Sequence, residues 1–225
     1  TNFDLYRVDA AGKNNPQNLT AANPAWDTAP LFSSDGKTLY YNAMARPGFE
    51  ADRYAIMAMD VASGKTRAVA PHWDRSAGAL KLSSDGKTLY TSADELGQHP
   101  LFAIDIASGA SRQVAGNGTL EEFDIAQNTL IFTRDTLTSP AQLFVLNAEG
   151  GSERQITVNN SESLAKLAMG EPEQFDFTGA KGEKVYGYVL KPANYQEGKS
   201  YPVAFLIHGG PQGSFGNHFH YRWNP

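Results

Sequence analysis

The sequence predicts a mainly β chain: a partial β-propeller of four-stranded blades, followed by the first strands of a sheet of the α/β kind. Three observations carry this reading. An octapeptide, Ser33-Ser34-Asp35-Gly36-Lys37-Thr38-Leu39-Tyr40, begins again letter for letter at Ser83. Two flanking motifs return as well, Pro24-Ala25-Trp26-Asp27 as Pro71-His72-Trp73-Asp74, and Met59-Asp60-Val61-Ala62-Ser63-Gly64 as Ile104-Asp105-Ile106-Ala107-Ser108-Gly109. Near the C-terminal end, Val203-Ala204-Phe205-Leu206-Ile207 runs unbroken into His208-Gly209-Gly210-Pro211. A continuous apolar run of that length suits a strand covered on both faces, unlike the alternation upstream.

The three displacements are fifty, forty-seven and forty-five residues, so the period is that of one propeller blade with loop insertions. Within the first repeat, Pro30 to Phe32 leads to the Asp35-Gly36 turn, where glycine tolerates positive φ, and Leu39 to Tyr41 returns. After the longer Arg46-Pro47-Gly48 loop, Tyr54 to Asp60 reads as a half-buried strand, followed by the Ser63-Gly64 turn and Thr66 to Val69. A degenerate third copy follows in Phe123 to Ile125, Thr129 to Thr133, Leu143 to Leu146 and Arg154 to Thr157. Residues 3 to 20, Phe3 to Val8 and Gln17 to Thr20 about a Gly12 turn, match only the last two strands of a blade. Closed propellers typically have about four to eight blades, so an upstream portion is expected.

Residues 158–170 change character, and Asn159 to Leu167 reads as a capped short helix. Beyond it Glu173 to Phe177 and Val185 to Leu190 flank Gly179-Ala180-Lys181-Gly182, a hairpin signal, and Lys191-Pro192 ends the second strand. The expected organisation is therefore propeller blades over 1–157, a linker with a short helix over 158–170, and the N-terminal part of a second domain over 171–225.

Composition narrows the function classes. With 41% hydrophobic and 19% charged residues among 225, the chain can bury a core. A formal charge of -5 with scattered Lys and Arg argues against nucleic-acid or anionic-membrane partners. The absence of cysteine removes disulfides, thiolate zinc sites and cysteine nucleophiles, and leaves the compartment open.

Most motifs in the blades have structural readings. Ser-Asp-Gly turns need those residue types for backbone reasons, and the equivalent placing of Trp26 and Trp73 favours packing. Glu121-Glu122 could grip an amine, but neighbours on an unbroken strand point to opposite faces. His218-Phe219-His220 has the same-face spacing of two metal ligands, with no third ligand in sequence reach.

The stretch from Val203 to Gly213 carries chemistry. An apolar strand entering a His-Gly-Gly turn lets the backbone pass close to a substrate carbonyl, the way an α/β-hydrolase presents part of its oxyanion hole. No G-x-S-x-G occurs: Gly150-Gly151-Ser152 continues into Glu153-Arg154. The chain is thus expected to be a segment of a serine hydrolase that ends before its nucleophile. The alternative is a propeller binding or scaffold module without catalysis, which has no use for the His-Gly-Gly-Pro turn.

Blades, short helix, the hairpin with Gly187-Tyr188-Val189-Leu190-Lys191-Pro192, Tyr201-Pro202 and the strand into His208-Gly209-Gly210-Pro211 together resemble the prolyl oligopeptidase family. Gln212-Gly213 and Tyr221-Arg222-Trp223-Asn224-Pro225 are most similar to its acylaminoacyl-peptidase and dipeptidyl-peptidase V branch. That resemblance implies a serine exopeptidase acting on short peptides without cofactor or metal. Its Ser-Asp-His triad would lie outside these residues, so the chain alone would be inactive. It assigns the Gly210 backbone N–H to the oxyanion hole, and Gly209, Tyr221 and Arg222 to the substrate. His208 is read as holding the loop rather than as a triad member. The remainder of the same enzyme would be the required partner, a homo-oligomer is compatible, and the compartment leans to bacterial periplasm or secretion with cytoplasm open.

Overall fold

The computed structural model describes residues 2–210 and 213–220. A short pair, β1 (Tyr6–Arg7) and β2 (Gln17–Asn18), precedes three four-stranded sheets. The first contains β3 (Asp27–Phe32), β4 (Thr38–Ala43), β5 (Ala55–Asp60) and β6 (Thr66–Ala68). The second contains β7 (Lys81–Leu82), β8 (Thr88–Ser92), β9 (Leu101–Asp105) and β10 (Ser111–Ala115). The third contains β11 (Phe123–Ala126), β12 (Thr129–Thr136), β13 (Ser139–Asn147) and β14 (Arg154–Gln155). In each sheet the strands neighbour one another in chain order, the antiparallel meander of a propeller blade expected from the repeat. After α1 (Ser161–Leu164) come β15 (Pro172–Thr178) and β16 (Lys184–Leu190), paired antiparallel from Pro172–Leu190 to Thr178–Lys184.

The repeated octapeptide is a turn, and both copies build it the same way. Ser33 Oγ donates to Asp35 Oδ1 at 2.7 Å, the Lys37 N–H donates to the same oxygen at 3.0 Å, and the Thr38 N–H donates to Ser33 Oγ at 2.9 Å. At Ser83, Asp85, Lys87 and Thr88 the corresponding distances are 2.7, 3.1 and 2.9 Å. Side-chain oxygens thus satisfy the backbone donors that a tight hairpin leaves over, which explains the letter-for-letter recurrence without a ligand.

Contact-dense parts of the chain form two units. The first comprises residues up to Ala93, Leu101–Val114 and Ile125–Asn128; the second comprises Asp94–Pro100, Ala115–Asp124 and the chain from Thr129 onward. Inside the first unit, blades one and two share a core of Tyr40, Ile56, Trp73, Leu89, Phe102 and Ile104 among others. Trp73 packs edge-on against Phe102 at 5.4 Å, and Trp26 against Phe3 at 4.9 Å, so both tryptophans take the packing role expected. Asn42, 1% exposed on β4, donates from Nδ2 to the carbonyls of Ala77 and Gly78 at 3.0 and 2.7 Å.

Three expectations need correction. The helix is a single turn, Ser161–Leu164, and Asn160 at its start has φ 63 with no side-chain cap bond. Local capping gives way to a tertiary tie: the buried Gln142 of β13 accepts from the Asn159 N–H at 3.1 Å and donates to the Asn159 carbonyl at 2.8 Å. The apolar run Val203 to Ile207 forms no strand, and Phe205 is 80% exposed, because no described residue pairs with it or covers it. Lastly, Glu121-Glu122 lies before β11 and outside any strand, with both residues exposed, so the opposite-face argument does not apply there.

The loop between β4 and β5 supplies a stability test. Asp52 accepts from the N–H groups of Ala45 and Arg46, both at 2.8 Å, and from Arg46 Nε at 2.9 Å, with its own side chain 11% exposed. Burial opposes its charge, but these donors outweigh burial and hold the carboxyl at about 2. A depressed carboxylate contributes stability that is present above the ordinary value near pH 4 and is lost as the pH falls toward 2. Asp52→Asn should therefore cost ~1–2 kcal/mol at pH 7 after allowance for solvent screening of the exposed Arg46. The gap between the thermal melts of both proteins should narrow below about pH 4 and close as the pH falls through about 2, and a deficit of equal size at pH 7 and about pH 2 would contradict the assignment.

Candidate active site

The second unit gathers the His-Gly-Gly turn and three propeller connections. Gly210 has φ 76, a conformation that side chains rarely adopt, and an added Cβ would meet no atom within 4 Å. Glycine is favoured there by backbone conformation, and no described atom crowds the Cβ position. No described residue accepts a hydrogen bond from the Gly209 or Gly210 N–H. The chain then folds back: a Cβ on Gly213 would come within 3.0 Å of the Gly209 oxygen and 3.4 Å of His208 Nδ1. Phe215 meets the His208 ring edge-on at 6.5 Å.

Beyond this return the segment is bonded at every step. The Asn217 N–H donates to the Gly97 carbonyl at 2.7 Å, and Asn217 Nδ2 donates to Gln98 Oε1 at 3.0 Å. Asn217 Oδ1 accepts from the Leu137 N–H at 2.9 Å, and its carbonyl accepts from Thr119 Oγ1 at 3.0 Å. His218 Nδ1 lies 2.9 and 3.0 Å from the two oxygens of Asp135, and the Phe219 N–H donates to Asp135 Oδ1 at 2.8 Å.

The receiving surface is the loop Asp94–Pro100, which joins β8 to β9. It doubles back at Gly97, with Glu95 and Gln98 exchanging backbone hydrogen bonds at 3.0 Å. Gly216 approaches Gly97 so closely that a Cβ on Gly216 would be 2.9 Å from the Gly97 oxygen. Gln98 Nε2 also donates to Tyr188 Oη at 2.6 Å, which brings the β15–β16 hairpin onto the same loop. His99 Nδ1 sits 2.8 Å from Asp94 Oδ1, and this contact lowers the Asp94 carboxyl below its ordinary range.

Asp135 behaves in the opposite sense. Burial of its carboxyl, 9% exposed, raises its pKa, and the Phe219 N–H and the nearby His218 only partly compensate.

The structure brings together some of the residues expected from sequence. Gly209 and Gly210 lie on the turn, and His208 touches it through Phe215 and a long 3.4 Å contact to the Gly209 oxygen. Tyr221, Arg222 and Pro211 lie outside the described residues. The two-histidine spacing is used differently from the metal reading: His218 faces Asp135, and among the described residues no three candidate ligands converge. Sequence reading missed Gln98, Asp135 and Asn217. The polar stretch Asp94-Glu95-Leu96-Gly97-Gln98-His99-Pro100 was visible as a loop longer than a two-residue hairpin needs, but nothing local names its partners.

Comparison with known proteins follows this geometry. Dipeptidyl-peptidase 5 of Trichophyton tonsurans is 34% identical over 222 residues, covering 95% of this chain. Among solved structures, an acylaminoacyl peptidase of Pyrococcus horikoshii superposes with a TM-score of 0.76 over 98% of this chain at 26% identity. In sequence and in fold these likenesses are to members of the prolyl oligopeptidase family. It spans 30% of the length of the Trichophyton relative and 33% of the Pyrococcus chain. Another solved structure, dipeptidyl peptidase 4 of Porphyromonas gingivalis, matches 98% of the chain with a TM-score of 0.70 at 17% identity, a likeness of fold alone. No family model matches the sequence.

The raised pKa of Asp135 gives a signed prediction. A carboxyl whose folded pKa is raised favours folding below its ordinary value and costs stability as the pH rises through the folded one. Asp135→Asn keeps an acceptor for the Phe219 N–H, and His218 can meet the amide through its other tautomer. The variant should melt no lower than the parent at pH 7, with any advantage gone by about pH 4. A large destabilisation confined to neutral pH would show that the ionised carboxylate, paired with His218, is net stabilising.

Proposed function

We propose that this chain forms part of a serine exopeptidase that hydrolyses short peptides through an acyl-enzyme intermediate. In this reading residues 1–157 are propeller blades, 158–170 the linker, and 171–225 the start of the hydrolase domain. The nucleophilic serine and its base come from the remainder of the enzyme. A serine alkoxide adding to the scissile carbonyl places negative charge on the carbonyl oxygen; collapse expels the amine, and water then attacks the ester. What this chain supplies is a donor for that oxygen.

The observation that carries the reading is Gly210: positive φ, an uncrowded Cβ position and an N–H without an acceptor among the described residues. A preorganised backbone donor aimed at developing charge is worth about 2.7–4 kcal/mol of transition-state stabilisation. Gly209, likewise without atoms near its Cβ position, lets the substrate backbone pass. The names of the relatives support a peptidase, and the dipeptidyl-peptidase 5 group favours release of dipeptides over acyl-amino acids. A propeller that only binds has no need of an unoccupied donor on a strained turn.

Two measurements on the full-length protein test this. Gly210→Ala should reduce kcat by about 10²–10³, whereas Gly198→Ala, at φ 79 with equally open surroundings, serves as a control for positive-φ strain and should leave kcat nearly unchanged. Equal effects of the two changes would reduce the turn to a structural feature. A fluorophosphonate probe should label a serine outside these 225 residues, and labelling of any serine within them would overturn the proposal.

A further inference from the structure

Asn217 stands seven positions beyond Gly210 and has each of its four polar groups engaged by a different residue. Gly97 and Gln98 belong to the β8–β9 loop, Thr119 to the segment before β11, and Leu137 to the turn between β12 and β13. An asparagine is suited to this place because its side chain offers a donor and an acceptor side by side, as Gln98 Oε1 and the Leu137 N–H require. Alanine would leave both partners without their bond. Leucine would in addition place apolar atoms against them.

The connection from Asn217 back to the turn is short and packed. Gly216 lies against Gly97, Phe215 against the His208 ring, and Gly213 against the Gly209 carbonyl. Where Asn217 sits therefore governs where Gly209 and Gly210 sit.

We propose that Asn217 is a positioning residue for catalysis: through it, loops of the propeller set the placement of the Gly210 N–H, and so the oxyanion stabilisation. This rests on the peptidase reading above. The propeller then acts on the rate of the chemical step as well as on access. Preorganised donors lose their effect quickly with displacement, and a misplacement of about 1 Å can cost about 10² in rate.

The test uses the full-length protein and a chromogenic dipeptidyl substrate, with Asn217→Ala, Asn217→Asp and Gln98→Leu. Asn217→Ala should lower kcat about 10–100-fold with KM changed by less than about threefold, since a displaced donor affects the transition state more than the ground state. A peptide aldehyde, which forms a tetrahedral adduct, should lose affinity in parallel with kcat, while a product dipeptide should bind as before. Asn217→Asp retains the acceptor for Leu137, and Gln98 can turn its amide to donate to the new oxygen, so this variant should recover most of the lost kcat. If Asn217→Ala does not fold, Gln98→Leu carries the test: it removes the side-chain bond to Asn217, together with the Gln98 bond to Tyr188, leaves the other three bonds of Asn217 in place, and should lower kcat several-fold with little change in KM. A kcat within about twofold of the parent in folded Asn217→Ala, or equal losses in the Ala and Asp variants, overturns the proposal. A parent protein without any peptidase activity and without fluorophosphonate labelling overturns the peptidase reading first, and the positioning role with it.

Discussion

The burial of one blade against the next is the constraint from which the rest of the first unit follows. A four-stranded meander has apolar side chains that it cannot hide by itself, and Leu89 and Ile104, both without exposure, share one core with Tyr40, Ile56 and Ala58 of blade one. Strand lengths, turn chemistry and loop lengths then serve that stacking. The strands keep the core register, and the turns close with side-chain bonds from Ser33 and Asp35 or Ser83 and Asp85. Loops that leave the sheet are free of the packing constraint and can differ between blades. The first blade uses its β4–β5 loop for the Asp52 carboxylate cage, while in the second blade the same connection contains Asp94–Pro100, which belongs to the second unit.

What was legible in the sequence follows from the range of the forces involved. The octapeptide turns, the blades and the β15–β16 hairpin are set by neighbours a few residues apart, so letters suffice to place them. The one-turn helix was overestimated because Gln142, rather than a local cap, holds Asn159. The apolar run from Val203 was read as a strand on composition alone, yet a strand exists only with a partner, and no described residue provides one. Gly210 was legible because a strained turn demands glycine. Asn217 was not, since Gln98 lies 119 residues away and no local pattern links the two.

Within the second unit, polar bonds tie the segment after the His-Gly-Gly turn to its neighbours, beside an apolar core that includes Leu120, Leu130 and Phe132. Asn217, Gln98, Thr119, Tyr188 and Asp135 connect the hairpin, the β8–β9 loop and the segment after the His-Gly-Gly turn through directional bonds. Directional bonds fix position more narrowly than apolar contact, which tolerates sliding. That difference suits a turn whose proposed task depends on placing one N–H. The buried Asp135 has a role of this kind although burial disfavours its charge: its oxygens order both His218 and the Phe219 backbone.

The central claim is that the propeller loops hold the segment following the turn, and amide hydrogen exchange tests it most directly. In the full-length protein the amides of Asn217, His218 and Phe219, each hydrogen-bonded, should exchange slowly, at rates near those of β12 and β13. In Asn217→Ala these amides should become fast while β15 and β16 keep their protection. Exchange at the rate of an unstructured peptide in the parent protein, or protection that survives the loss of Asn217, would contradict the account.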